Sequence, residues 1–297
     1  MIRVPPEPAP HPDRVGTAKL PLRFEDVSQD GRVLLDALPA GIGPAIWAPL
    51  LEKHPMAALA RKDGVVAILS RVVIEGLDGP IPVSRPLAVT GTYELAHTLD
   101  AAGEVERILL LMWARYEGVI GRTYGASPRD GETARVGSFY AEHVFTRPFG
   151  APEHRRVNRL DGPGVEPIPG KAVRWQKGDE LLLPPESCTP LEPALAPDAA
   201  VVFGVGHTDG NQHVNSLVYP RRFEEGVLRR LATLGRSASV IPRAVELAFR
   251  KPFFAGERAR LLLQTFTSGT DVVAVGAFVS DDAAERPHCW VRMRLSP

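Results

Sequence analysis

The chain has 297 residues, with 35 basic and 35 acidic side chains, 44% hydrophobic and 24% charged residues. That length suits one large domain or two ordinary ones with a real core, and the balanced charge excludes a general affinity for nucleic acid or anionic membranes. Two isolated cysteines, Cys188 and Cys289, exclude a disulfide framework and a metal finger, and fit a reduced, cytoplasmic protein.

The N-terminus, MIRVPPEPAPHPDR, has no apolar stretch of the kind a secretory signal needs. Its prolines predict a flexible or extended tail over residues 1–19. The segment 20–150 reads as a first folded unit. LPLRFEDV and RVLLDAL suit a first strand or hairpin, and PAIWAPLLEKHPMAALA (44–60) a helix interrupted by proline. Long strands are predicted over GVVAILSRVVIEG (64–76), RPLAVTGTYELAHTL (85–99) and EVERILLLMWARYEG (104–118), with another over FYAEHVFTRPF (139–149). The longest apolar run, ILLLMWA (108–114), is too short to span a bilayer.

Residues 151–197 carry proline too often for a continuous helix or a central strand, and read as a connection wrapped over the surface. The segment 198–297 reads as a second unit. AAVVFGVG (199–206) suits a short strand. A helix starts near Tyr219 with Pro220 in its first position, where a missing N–H costs least. Phe223, Val227, Leu231 and Leu234 mark one face, and Gly235 marks the stop. Strands follow at 244–253, 257–268, 271–280 and 288–295. In the last, Trp290, Arg292 and Arg294 alternate with Val291, Met293 and Leu295, as in a half-buried antiparallel strand. One helix followed by several long strands, twice over, predicts an α+β chain of two units, each with a helix wrapped by a curved antiparallel sheet.

One stretch is rich in chemistry: HTDGNQHVNSLVYPRRFEEG, starting at residue 207. Asp209 can serve as base or nucleophile, Asn211 and Asn215 as hydrogen-bond donors and acceptors, and His207 and His213 as proton carriers. No GxSxG elbow is present and neither cysteine has a nearby histidine, so a serine or cysteine nucleophile is unsupported. A carboxylate acting on an acyl group, or on the water that attacks it, fits these residues. A helix N-terminus just beyond them favours a developing oxyanion. The structural alternatives are an Asx turn built on Asp209 and Gly210, and His213 and Asn215 as hydrogen-bonders that fix the loop. His207, Asp209 and His213 could supply three metal ligands, but no second cluster of His or Asp supports a metal. Arg221, Arg222, Arg250 and Lys251 read as a solvated face, or as partners for the phosphates of a coenzyme A or carrier-protein arm.

Taken together, D-G-N-Q-H-V-N-S-L-V-Y followed by FEE resembles the signature of hotdog-fold acyl thioesterases, D-x-x-x-H-V-N-N-x-x-Y ending in a helix with an acidic residue. The plant acyl-ACP thioesterases, which are double hotdogs, carry D-x-N-Q-H-V-N-N, and residues Asp209 to Asn215 match it position for position. The 4-hydroxybenzoyl-CoA type places its catalytic carboxylate at the position of Asp209. VELAFRKPFFAGERARLLL resembles the long second strand of the same fold. The resemblance implies a double hotdog with Asp209, Asn211 and His213 as catalytic positions and His207, Asn215 and Tyr219 in supporting ones. It implies an acyl-CoA or acyl-carrier-protein thioester as substrate, in fatty acid or polyketide metabolism, with no metal or cofactor. It leaves room for a homo-oligomer of such chains.

The departures are His207 in place of an aspartate, Ser216 in place of the second asparagine, and Pro252 near the position of a further plant glutamate, with Glu246 offset from it. The first unit offers only Asp36 before its helix, which implies a degenerate copy and one active site per chain. A hotdog hydratase or dehydratase would carry D-x-N-P-x-H, one residue longer and with a proline absent here. A non-catalytic acyl-binding protein of a biosynthetic pathway is the reading outside enzymes.

Overall fold

The computed structural model describes residues 2–9, 11–56, 64–281 and 286–297. They fall into two compact units. One holds Val4–Val72 and Leu77–Gln176. The other holds Lys177–Pro297 with Val73–Gly76 and the first residues of the chain.

The strands of the N-terminal unit are β1 (Val15–Leu20), the part of β2 (Val66–Gly76) up to Val72, β3 (Leu87–Leu99), β4 (Val105–Val119) and β5 (Thr133–Thr146), in the order β1-β3-β4-β5-β2. β3, β4 and β5 form antiparallel neighbours, as β1 does with β3. The helical segment is a π turn at Gly43–Trp47 followed by α1 (Ala48–Lys53). It ends at an extended His54, because Pro55 disfavours helical backbone at the residue before it. The remainder of the predicted helix, 57–60, lies outside the described residues.

Two expectations for this unit are corrected. The stretch 20–37 forms no hairpin: it carries a 3₁₀ turn at Phe24–Asp26 and a single bridge between Val27 and Val33. The Asp26 carboxylate accepts from the backbone and guanidinium of Arg23, which closes the turn locally. The first strand lies instead within the expected tail. VGTAKL pairs residue by residue with β3, Val15 opposite Thr92 and Leu20 opposite Leu87. Upstream, the Pro5 carbonyl accepts from the Trp113 indole at 3.1 Å, and Glu7 pairs with Arg115.

Glycine decides how closely this helical segment approaches its sheet. Gly16 and Gly91 are cross-strand partners. A Cβ on Gly16 would lie 2.2 Å from the Ala45 carbonyl oxygen, and one on Gly91 would lie 2.4 Å from Ile46 Cγ1. Their bare backbone lets Ile46 reach full burial.

Also buried in this unit is His143 of β5, edge-on to the Trp47 ring at 5.2 Å, with Nδ1 lacking a hydrogen bond among the described residues. Burial pulls its pKa down to about 4, against a smaller upward effect from the Leu110 backbone. A histidine held neutral in this way binds fewer protons folded than unfolded. Its contribution is therefore complete above the unfolded pKa near 6.5 and is lost as pH falls towards 4. Urea unfolding between pH 7 and pH 4 is expected to show a loss of about 3 kcal/mol from this group. His143→Gln should flatten that slope, and an unchanged slope would show that His143 is not its source.

The C-terminal unit has β6 (Thr189–Pro190), β7 (Ala196–Val202), β8 (Ile241–Phe249), β9 (Arg258–Ser268), β10 (Asp271–Ser280) and β11 (Cys289–Ser296). Their order is β8-β11-β10-β9-β6, with β7 also on β9. The longer neighbours are antiparallel. Helix α2 (Val218–Thr233) buries Tyr219, Pro220, Phe223, Gly226, Val227 and Leu231. Leu234, expected on that face, follows the helix and is largely exposed. The chain turns there through Gly235 at φ +65, with the amides of Gly235 and Arg236 satisfying the carbonyls of Ala232 and Leu231.

Gly276 on β10 repeats the device seen at Gly91. A Cβ there would sit 2.2 Å from the Leu262 carbonyl oxygen and 2.7 Å from Phe223 Cε2. Gly276→Ala is expected to cost about 1–3 kcal/mol through overpacking, read as a lower urea midpoint.

The proline-rich stretch 151–197 is tied down along its length, part of it in each unit. In the N-terminal unit Ile108 donates to the Val157 carbonyl, His97 exchanges backbone bonds with Lys171 and Val173, and Arg107 stacks over Trp175. In the C-terminal unit Arg292 donates to the carbonyls of Glu180, Leu181 and Leu183. Glu192 takes Arg230 and the Thr265 backbone and hydroxyl. Prolines cannot donate, so the sheets bind this segment largely through its carbonyls and side chains. No helix among the described residues is long and apolar enough to cross a membrane.

Candidate active site

The loop before α2 is shaped by backbone hydrogen bonds. Asp209 N–H donates to the His213 carbonyl at 3.0 Å, and Gln212 N–H to the Asp209 carbonyl at 2.9 Å. Gln212 takes the left-handed conformation, φ +64, that the tight reversal requires. Val214 N–H reaches the Phe253 carbonyl and Asn215 N–H the His207 carbonyl, so both ends of the loop are pinned. The turn Phe253–Glu257 forms one wall: Phe254 packs edge-on against the His213 ring at 5.2 Å, and its N–H donates to Glu257 Oε2 at 2.9 Å.

Within this frame Asp209 makes the Asx turn that the sequence allows. Its Oδ1 accepts from Asn211 N–H at 2.8 Å. That use leaves chemistry open, because Oδ2 has no partner among the described residues. The Asn211 carboxamide and the His213 ring nitrogens are also without hydrogen bonds among them, and both side chains are exposed. Asp209, Asn211 and His213 thus sit on one short loop but are not bonded side chain to side chain. His213 holds Asp209 through its carbonyl, not its ring.

Asn215 starts the helix. Its Oδ1 accepts from Leu217 N–H at 2.9 Å and its carbonyl from Val218 N–H at 3.0 Å. Tyr219 is buried under the loop among Phe203, Phe249, Phe253 and Phe278, with its hydroxyl 3.4 Å from Phe253 N–H. Burial pushes its phenol well above the ordinary range, so it stays neutral. Its support is packing beneath the loop.

His207 Nδ1 accepts from Gly204 N–H at 3.0 Å, and the Arg222 guanidinium lies 2.8 Å from its Nε2. Arg222 is in turn held by both Glu225 oxygens at 2.8 Å. Arg222 therefore belongs to the loop's framework, one turn along α2, and is not simply a solvated charge. Sequence reading also passed over Glu257, whose only signal was the Gly256-Glu257 turn. Glu246 is buried on β8 opposite Arg292. No group of three metal-binding side chains is gathered among the described residues.

The sequence matches no protein-family model and no curated protein. Its structure matches solved ones over nearly the whole chain. An acyl-ACP thioesterase from Bacteroides thetaiotaomicron VPI-5482 is similar at TM-score 0.58 and 15% identity, covering 95% of this chain and 98% of that one. The 12:0-ACP thioesterase from Umbellularia californica is similar at TM-score 0.54 and 14% identity, covering 97% and 99%. Likeness at such identities is likeness of fold. The chain has the α+β double-hotdog fold of these proteins.

Proposed function

We propose that this chain is an acyl thioesterase that hydrolyses an acyl-CoA or acyl-carrier-protein thioester at the 207–215 loop. One observation carries the reading: a backbone-locked loop at the start of α2 presents Asp209, Asn211 and His213 with polar atoms unspent. The fold supports it, since two of the neighbours that match over nearly the full length are named as acyl-ACP thioesterases.

Asp209 Oδ2 takes a proton from water as the water oxygen bonds to the thioester carbon. The Asn211 carboxamide and the N-terminal dipole of α2 stabilise the oxyanion that forms. Collapse of that intermediate breaks the C–S bond and leaves a carboxylic acid and a thiolate, and the proton that Asp209 took from water passes through the His213 ring to the thiolate, which restores the carboxylate. Asn215, Tyr219, His207 and Arg222 position the loop. In this reading the N-terminal unit, with no equivalent cluster, contributes no second site, so each chain turns over one substrate at a time.

A panel of acyl-CoA and acyl-carrier-protein thioesters assayed with a free-thiol reagent tests the reading. Thiol release is expected from at least one class. Binding without release from any of them would make the chain an acyl-binding protein instead. If Asp209 attacks the carbonyl itself and water then cleaves the resulting anhydride at the Asp209 carbonyl, single turnover in H₂¹⁸O places label in its carboxylate, which the water mechanism never does.

A further inference from the structure

The N-terminal unit contains a cavity of about 370 Å³, within the range of small-molecule sites, roughly 300–1,000 Å³. None of the residues 207–219 lines it. Its walls come from the 3₁₀ turn before β1 (Arg14), the residue after α1 (His54), β3 (Glu94) and the connection (Gly164, Glu166, Lys171).

The charges are unevenly satisfied. Lys171 is bonded to Glu94 and lies over the Trp113 ring, so that pair is neutralised within the wall. Arg14 is half-buried, and its guanidinium has no hydrogen bond or ion pair among the described residues. His54 Nδ1 accepts from Met56 N–H at 3.2 Å, which assigns the ring proton of the neutral form to Nε2. Burial and the Arg14 charge both pull its pKa down, which favours the neutral ring. Glu166 is exposed and also has no partner among the described residues.

A half-buried guanidinium with no ion pair among the described residues, sharing the cavity with a neutral N–H donor, is complementary to one carboxylate. The two oxygens match the guanidinium fork, and a third hydrogen bond comes from the imidazole. We propose that this cavity binds a small carboxylate on Arg14 and His54, with Glu166 at the rim competing for the same guanidinium. The site is independent of the thioesterase reading, because none of its residues belongs to the 207–215 loop.

Calorimetric titration of the full chain with butyrate, inorganic phosphate and butylamine tests it. Butyrate is expected to bind, butylamine not to bind, and phosphate to bind more weakly than butyrate. Arg14→Gln should weaken butyrate at least tenfold, and Arg14→Lys should retain part of the affinity. Glu166→Gln should strengthen it several-fold, a gain that a misfolded protein cannot give. Because Arg14 lies outside the 207–215 loop, the loss in Arg14→Gln separates the cavity from the loop. Absence of butyrate binding, equal binding by Arg14→Gln, or tighter binding of phosphate would each overturn the assignment.

Discussion

Asp209→Asn is expected to lower thioester turnover by at least about 100-fold, the scale on which positioned general bases contribute. The substitution is informative because the loop should survive it. Asn211 N–H is satisfied by Oδ1 of residue 209, and an asparagine carbonyl can accept the same bond. What disappears is the anionic second oxygen, the only proton acceptor of that strength on the loop. The variant should therefore keep its unfolding midpoint and near-ultraviolet spectrum while kcat falls. Asp209→Ala removes both functions and is expected to lose activity together with loop order. Wild-type turnover in Asp209→Asn would remove the carboxylate from the mechanism.

Phe223→Ala is expected to cost about 3–5 kcal/mol, the usual range for emptying a buried aromatic site. Phe223 is fully buried on α2, and Gly276 lies directly beneath it. The sheet backbone cannot rise to fill the gap, because β10 is bonded on both sides, to β9 and to β11. Chemical denaturation should report the loss. The same variant should weaken turnover only in proportion to its unfolded fraction, since Phe223 is not among the residues proposed for catalysis. A normal midpoint would mean that the helix repacks, and a selective loss of kcat that α2 positions the loop more delicately than its packing implies.

The architecture was legible wherever periodicity was long. α2 announced itself by Phe223, Val227 and Leu231, and β11 by its strict alternation, because in both a single face is buried. β10 showed less alternation, and the structure explains it: Val272 to Val279 are all buried. One side faces α2, and Cys188 and Leu195 from the connection pack near Val273 and Val275. The N-terminal strand was missed because VGTAKL is short, weakly apolar and preceded by prolines. The partner of its first residue, Val15, is 77 positions away at Thr92, beyond any local signal. In the same way the motif pointed to Asp209, Asn211 and His213 by residue type and spacing. His207's contact with Arg222 and the wall made by Phe254 and Glu257 depend on tertiary folding, which no spacing encodes.

The loop also has a bearing on inheritance. Its outline is drawn by main-chain bonds from Asp209, Gln212, Val214 and Asn215, none of which depends on the side chains at positions 211 and 213. Mutation can rewrite those two positions one at a time, and every intermediate remains a folded protein with a differently equipped loop. Positions 209 and 215 have no such freedom, since a side-chain oxygen at each terminates a backbone N–H. Among descendants of this chain, new reactivity is expected to arise first at 211 and 213, on an unchanged outline.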